Sequence, residues 1–98
     1  MEHPGKETLM PTKDWTIQVR LDEQGDDTFA DAILSIENKT EIRGNGHSRR
    51  NPSDESAPQI GDELACARAL SDLAHQLLAV AASEIESRTH VPATSLDL

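Results

Sequence analysis

Two glycines, Gly44 and Gly46, stand two residues apart inside "EIRGNGHSR" (41–49), a segment that otherwise reads as a strand. Alternate residues of a strand share a face. Ile42, Gly44, Gly46 and Ser48 therefore line one side, and Arg43, Asn45, His47 and Arg49 the other. Glycine weakens a strand interior, and its usual reason for being there is the close approach of another backbone. The spacing predicts a helix lying close over the small-residue face. It also predicts that the arginines point away from that helix.

The rest of the chain supplies the partners. Trp15, Ile17, Val19 and Leu21 alternate with polar residues, the period of a half-buried strand. "DEQGDD" (22–27) is a turn centred on Gly25. From Thr28 a second alternation puts Ala30, Ala32, Leu34 and Ile36 on one face and Phe29, Asp31, Ile33, Ser35 and Glu37 on the other. "NKT" (38–40) is a short loop that returns the chain antiparallel. The triplet also spells a glycosylation acceptor, but without a signal peptide the turn reading stands. "RNPSDESAPQ" (50–59) reads as a loop. Beyond it, Ile60, Leu64, Ala67, Leu70, Leu73, Leu77, Val80 and Ala81 step by three and four, the stripe of an amphipathic helix. Asp62 and Glu63 suit its first turn. Ser83 and Glu86 have capping-box spacing, which predicts a kink and a short second helix, and Pro92 ends the run. The expectation is an α+β fold: a three-stranded antiparallel meander packed on one long C-terminal helix (β-β-β-α). Residues 1–13 form a disordered tail, 14–93 the domain and 94–98 a C-terminal tail.

Composition narrows the function. The 98 residues carry a formal net charge of −9, with nine basic and 18 acidic residues. Nucleic-acid affinity comes from clustered Lys and Arg, and domains that bind it usually have a pI above about 9; this chain has about 4.7. One Phe, one Trp and no Tyr leave the core to aliphatic residues. A chain this size buries only ~60–65% of its unfolded surface, so self-association is the expected completion. No apolar run reaches the ~18–20 residues of a membrane span, no secretory signal opens the chain, and the single Cys66 has no internal partner. Together these set a cytoplasmic expectation, with no membrane contact.

Candidate sites are few. The basic row Arg43, His47 and Arg49, with Arg50 adjoining, reads either as a phosphate-contacting patch or as a solvated face paired with Asp31 or Glu37 on the neighbouring strand. Paired cross-strand charges are the simpler account, because no aromatic platform accompanies the arginines. Phe29 and Ile33 lie on the open sheet face and mark the expected dimer contact. Asp22, Glu23, Asp26, Asp27, Asp62 and Glu63 form an acidic surface that would suit a basic protein partner. His3, His47, His75, His90 and Cys66 lack metal-ligand spacing, so no metal or cofactor is expected, and Cys66 reads as a small buried helix residue. Asp62 with Glu63, or Glu84 with Glu86, can be drawn as acid–base pairs, and Ser71, Asp72 and His75 as a triad. Neighbouring residues on a helix point to different faces, so no catalytic role is expected.

The strings "IGDELACARALSDLA" and "IESRTHVP", with "NPSD" before them, resemble a family of small actinobacterial proteins, domain-of-unknown-function family 1876. The likeness covers residues 14–93. It implies a fold similar to the double-stranded-RNA-binding domain, no enzymatic activity, and a link to hypoxia, stress and dormancy. A dimer of the family has been likened to ribosome-hibernation factors. The chain departs from the family at Arg43, Asn45 and His47, positions that are apolar in relatives. The resemblance thus implies a homodimeric, non-enzymatic stress factor associated with the ribosome or rRNA. The alternative from the residues alone is an acidic protein–protein interaction module that binds no nucleic acid.

Overall fold

The computed structural model describes residues 11–36, 41–51 and 57–89. Three strands, β1 (Ile17–Gln24), β2 (Asp27–Ser35) and β3 (Glu41–Arg49), form one antiparallel sheet in the order β1-β2-β3. One helix, α1 (Pro58–Thr89), follows and packs across a single face of it. This is the α+β meander-plus-helix that the alternation predicts. The tails at 1–10 and 94–98, the "NKT" loop and Pro92 lie outside the described residues.

The β1–β2 turn is tighter than "DEQGDD" implies. β1 continues to Gln24 and β2 restarts at Asp27, leaving only Gly25 and Asp26 between them. Gly25 has φ +64°, a left-handed conformation that Gly reaches without steric cost. The β2–β3 register sets Ala30 opposite Gly46, Ala32 opposite Gly44, Phe29 opposite His47 and Ile33 opposite Arg43.

The small face of β3 meets the helix backbone. A Cβ on Gly44 would stand 2.3 Å from the Leu73 amide nitrogen and 2.4 Å from the Ala69 carbonyl oxygen. One on Gly46 would stand 2.1 Å from the Ala65 carbonyl oxygen. Contact this close demands small residues on the helix as well, and this is where the expected stripe fails. The buried helix residues are Ala65, Ala69 and Leu73, with Leu77 packed at their margin. Ile60 and Leu64 are 57% and 45% exposed, and Ala67, Leu70 and Val80 are exposed too. The long helix is apolar on more than one side, so side-chain size misidentified the side against the sheet.

The helix also begins earlier than expected. Pro58 opens it, a position where its missing N–H costs nothing, and the Ala57 carbonyl accepts from the Ile60 and Gly61 amides. Asp62 and Glu63 therefore sit past the first turn. No break occurs at Ser83: α1 is continuous to Thr89. A capping-box spacing competes there with helix-favouring Ala79, Ala81 and Ala82 and loses. Among the described residues, no helix is long and apolar enough to cross a membrane.

The inner core is Ala30, Ala32, Leu34, Ala65, Ala69 and Leu73, closed at one end by Thr28 and Ser48, whose hydroxyl donates to the Gly61 carbonyl at 2.8 Å. The glycine contact makes a direct prediction. Gly44→Ala and Gly46→Ala each lower stability by roughly 1–3 kcal/mol or more, because the added methyl meets backbone that cannot step aside. Gly25→Ala meets no atom within 4 Å and loses only about 1–2 kcal/mol through its φ. Urea midpoints rank the three.

Candidate interaction surfaces

The row Arg43, Asn45, His47 and Arg49 lies on the sheet face opposite α1, as its parity requires, and all four side chains are exposed. Every basic member faces a carboxylate of its own chain. Arg43 lies 3.3 Å from Glu41 and 4.0 Å from Asp31. Arg49 and His47 converge on Asp27, at 3.1 and 2.7 Å, and Arg50 pairs with Asp26 at 2.5 Å. An ionised carboxylate only accepts, so the His47 Nε2–H donates to Asp27 Oδ1. The His47 ring also stacks on Phe29, with centroids 4.7 Å apart and planes inclined by 13°.

The two residues expected to carry a dimer contact differ. Phe29 is 41% exposed and stacked on His47, whereas Ile33 is only 8% exposed within a single chain. Arg43, opposite it, and Trp15, Gln18 and Arg20 surround its side of the sheet. The open face thus holds Phe29, stacked on His47, and the 54%-exposed Trp15 at its β1 side, set among polar and charged groups.

The acidic set is likewise dispersed. Asp26 and Asp27 are consumed by the ion pairs, and Asp22 accepts from Gln24. Asp62 turns inward, its Oδ1 buried with no hydrogen-bond partner among the described residues. Glu23 and Glu63 remain exposed. A shallow depression of about 350 Å³ opens between the β1–β2 turn and the start of α1, lined by Gly25, Asp26, Thr28, Ser48, Arg50 and Gly61 among others. Its charged pair is internally satisfied. Ser71, Asp72 and His75 do not assemble: Asp72 bonds to β3, while His75 Nδ1 bonds to the Ser71 carbonyl of its own helix. Cys66 is half-buried and free.

Arg68, not singled out in the sequence, and Asp72, read there only as part of a drawn triad, do structural work at the sheet edge. Asp72 accepts from the Asn45 backbone N–H at 2.8 Å, and Arg68 Nη1 donates to the His47 carbonyl at 2.8 Å. They occupy backbone groups along the outer edge of β3, which would otherwise invite another strand. Their i, i+4 spacing on one helix flank was the available signal, but it reads equally as a solvated ion pair. β1, at the opposite edge, lies least under the helix, and Ile17 and Leu21 are 43% and 42% exposed on its inner face.

The Asp27 cluster has a pH signature. The His47 hydrogen bond, aided by the Arg49 and His47 charges, holds the Asp27 carboxyl below its usual range against a smaller opposing effect of burial. A depressed folded-state pKa gives stability that is complete above the unfolded value of about 3.9 and is lost as pH falls through the folded one. Carboxyl NMR titration should therefore give Asp27 a midpoint below ~3.9, moving up in His47→Ala. A midpoint at or above that value in the unmodified protein would show that the cluster does not form.

Comparison with known proteins agrees with this architecture. Rv2632c of Mycobacterium tuberculosis (strain ATCC 25618 / H37Rv), described as uncharacterized, is 50% identical over 80 residues, 82% of this chain and 85% of that protein. The uncharacterized protein MT1780 of Mycobacterium tuberculosis (strain CDC 1551 / Oshkosh) is 46% identical over 82 residues, 84% of this chain and 86% of that one. The crystal structure of Rv2632c superposes with a TM-score of 0.76 at 47% identity, covering 85% of this chain and 98% of that chain. The pattern of the Rv2632c-like family matches residues 13–94, and the chain belongs to that family.

Proposed function

We propose that this protein works by protein–protein contact, without catalysis and without binding nucleic acid. The observation that carries this reading is the pairing of the basic row. Arg43, His47, Arg49 and Arg50 all have intramolecular carboxylate partners, in a chain of formal charge −9. A phosphate would have to displace those carboxylates, and the uncompensated acids nearby would repel it. Absence of catalysis is part of the same proposal.

The second reading is a ribosome- or rRNA-associated factor acting in stress or dormancy in the cytoplasm, as the resemblance to family 1876 and to double-stranded-RNA-binding domains implies. What favours it is that Arg43, His47 and Arg49 do share one outward sheet face. Against it, the first turns of α1 carry Asp62 and Glu63 where such domains present lysines.

Sedimentation with purified ribosomes, and anisotropy with duplex RNA, at 50 and 200 mM salt separates the two. The first reading predicts no binding at either salt. Binding that falls steeply with salt and disappears in Arg43→Glu/Arg49→Glu would overturn it in favour of the second.

A further inference from the structure

The side of α1 opposite the sheet carries its own apolar order. Ile60, Leu64, Ala67, Ser71, Ala74, Leu78, Ala81 and Ile85 step 4, 3, 4, 3, 4, 3, 4 without a break, and only Ser71 is polar. At 100° per residue this line runs about 170° from the line of Ala65, Ala69 and Leu73 that meets β3. The sheet therefore cannot cover it. Ile60, Leu64 and Ile85 are 57%, 45% and 43% exposed, Ala67 and Ser71 are exposed, and Ala74, Leu78 and Ala81 are half-buried within the single chain. The seam holds no charge and extends for about 38 Å. A strict 4–3 alternation is the repeat by which one helix packs along another, and a helix apolar on two opposite sides needs cover on both.

We infer that the seam is a self-association surface whose occupant is α1 of a second copy, running antiparallel about a two-fold axis. This deepens the protein-contact reading by naming the partner. Side-chain size selects the orientation. In an antiparallel pair, positions whose numbers sum to 145 meet: Leu64 with Ala81, Leu78 with Ala67, Ser71 with Ala74 and Ile60 with Ile85, each across the two chains. Large faces small along the shoulders. The smallest pair sits at the centre and the largest at the ends, which fits two helices that approach most closely at their crossing point and splay at the usual ~20°. A parallel pair would instead stack alanine on alanine in three layers. Leu70, 39% exposed, would flank the antiparallel seam against Leu77 of the other copy. Glu63 and Glu84 would meet at its ends, a like-charge contact that salt screens. A parallel pair would set Glu63 beside Arg68. The two orientations therefore respond oppositely to salt.

Sedimentation equilibrium on the full chain tests this. The expected mass is twice 10.7 kDa, with affinity rising between 50 and 300 mM NaCl. Leu78→Glu should weaken dimerisation by at least ~100-fold by placing an unpaired charge in the seam. It should keep the helical circular dichroism of the parent, since Leu78 belongs neither to the inner core nor to the apolar residues packed against it. Gln76→Glu, off the seam, should leave the dimer intact. With Cys66→Ser throughout, mixing Ile60→Cys and Ile85→Cys proteins should yield the 60–85 cross-link between chains. A monomer at all concentrations, a dimer indifferent to Leu78→Glu (as pairing along the β1 edge would give), or 60–60 cross-links alone would each overturn the proposal. None of these outcomes bears on ribosome or RNA binding, so the two readings fail separately.

Discussion

The contact between the α1 backbone and the glycines of β3 governs the rest of the molecule. Gly44 and Gly46 have no side chains, so the helix settles with the Leu73 and Ala69 backbone where Cβ atoms would otherwise stand. That closeness restricts the facing helix positions to Ala65 and Ala69, which leaves a thin inner core of four alanines and two leucines. It also biases the helix toward β3, away from β1, and so exposes Ile17 and Leu21. From the same position Arg68 and Asp72 reach over the β3 edge to its backbone. One packing constraint thus sets core size, edge protection and the uncovered apolar surface.

The pleat that turns the glycines inward turns Arg43, His47 and Arg49 outward, where β2 and the β1–β2 turn supply the answering acids. Asp27 answers both Arg49 and His47, and Asp31 and Asp26 one arginine each. These pairs are exposed, and exposed pairs add little stability. Their larger consequence is for recognition, since they remove the surplus positive charge that a phosphate backbone would need.

Strand parity was legible because a strand with two glycines and a serine on one side admits few explanations. Meander order followed from loop length, and the buried set Ala30, Ala32 and Leu34 from alternation. The helix was harder. Its residues are apolar over most of the circumference, so several stripes satisfy the 3–4 spacing, and the larger residues drew attention from the alanines that the glycines require. Ile33 misled for a related reason: its parity places it on the open face, but parity carries no information on how neighbouring long side chains fold over it. The caps by Asp72 and Arg68 depend on where the helix axis lies over the sheet, which no local pattern encodes.

A thin core beneath a helix with a second apolar seam links the fold to the proposed mode of action, because the surface left over by one packing choice becomes the surface offered to a second chain. All of this requires α1 to sit directly on the glycines. The nuclear Overhauser spectrum measures that contact: the account predicts strong cross-peaks from the Gly44 α-protons to the Leu73 amide and from the Gly46 α-protons to the Ala69 amide. Their absence, with Arg43 or His47 side-chain protons contacting Ala69 instead, would contradict it.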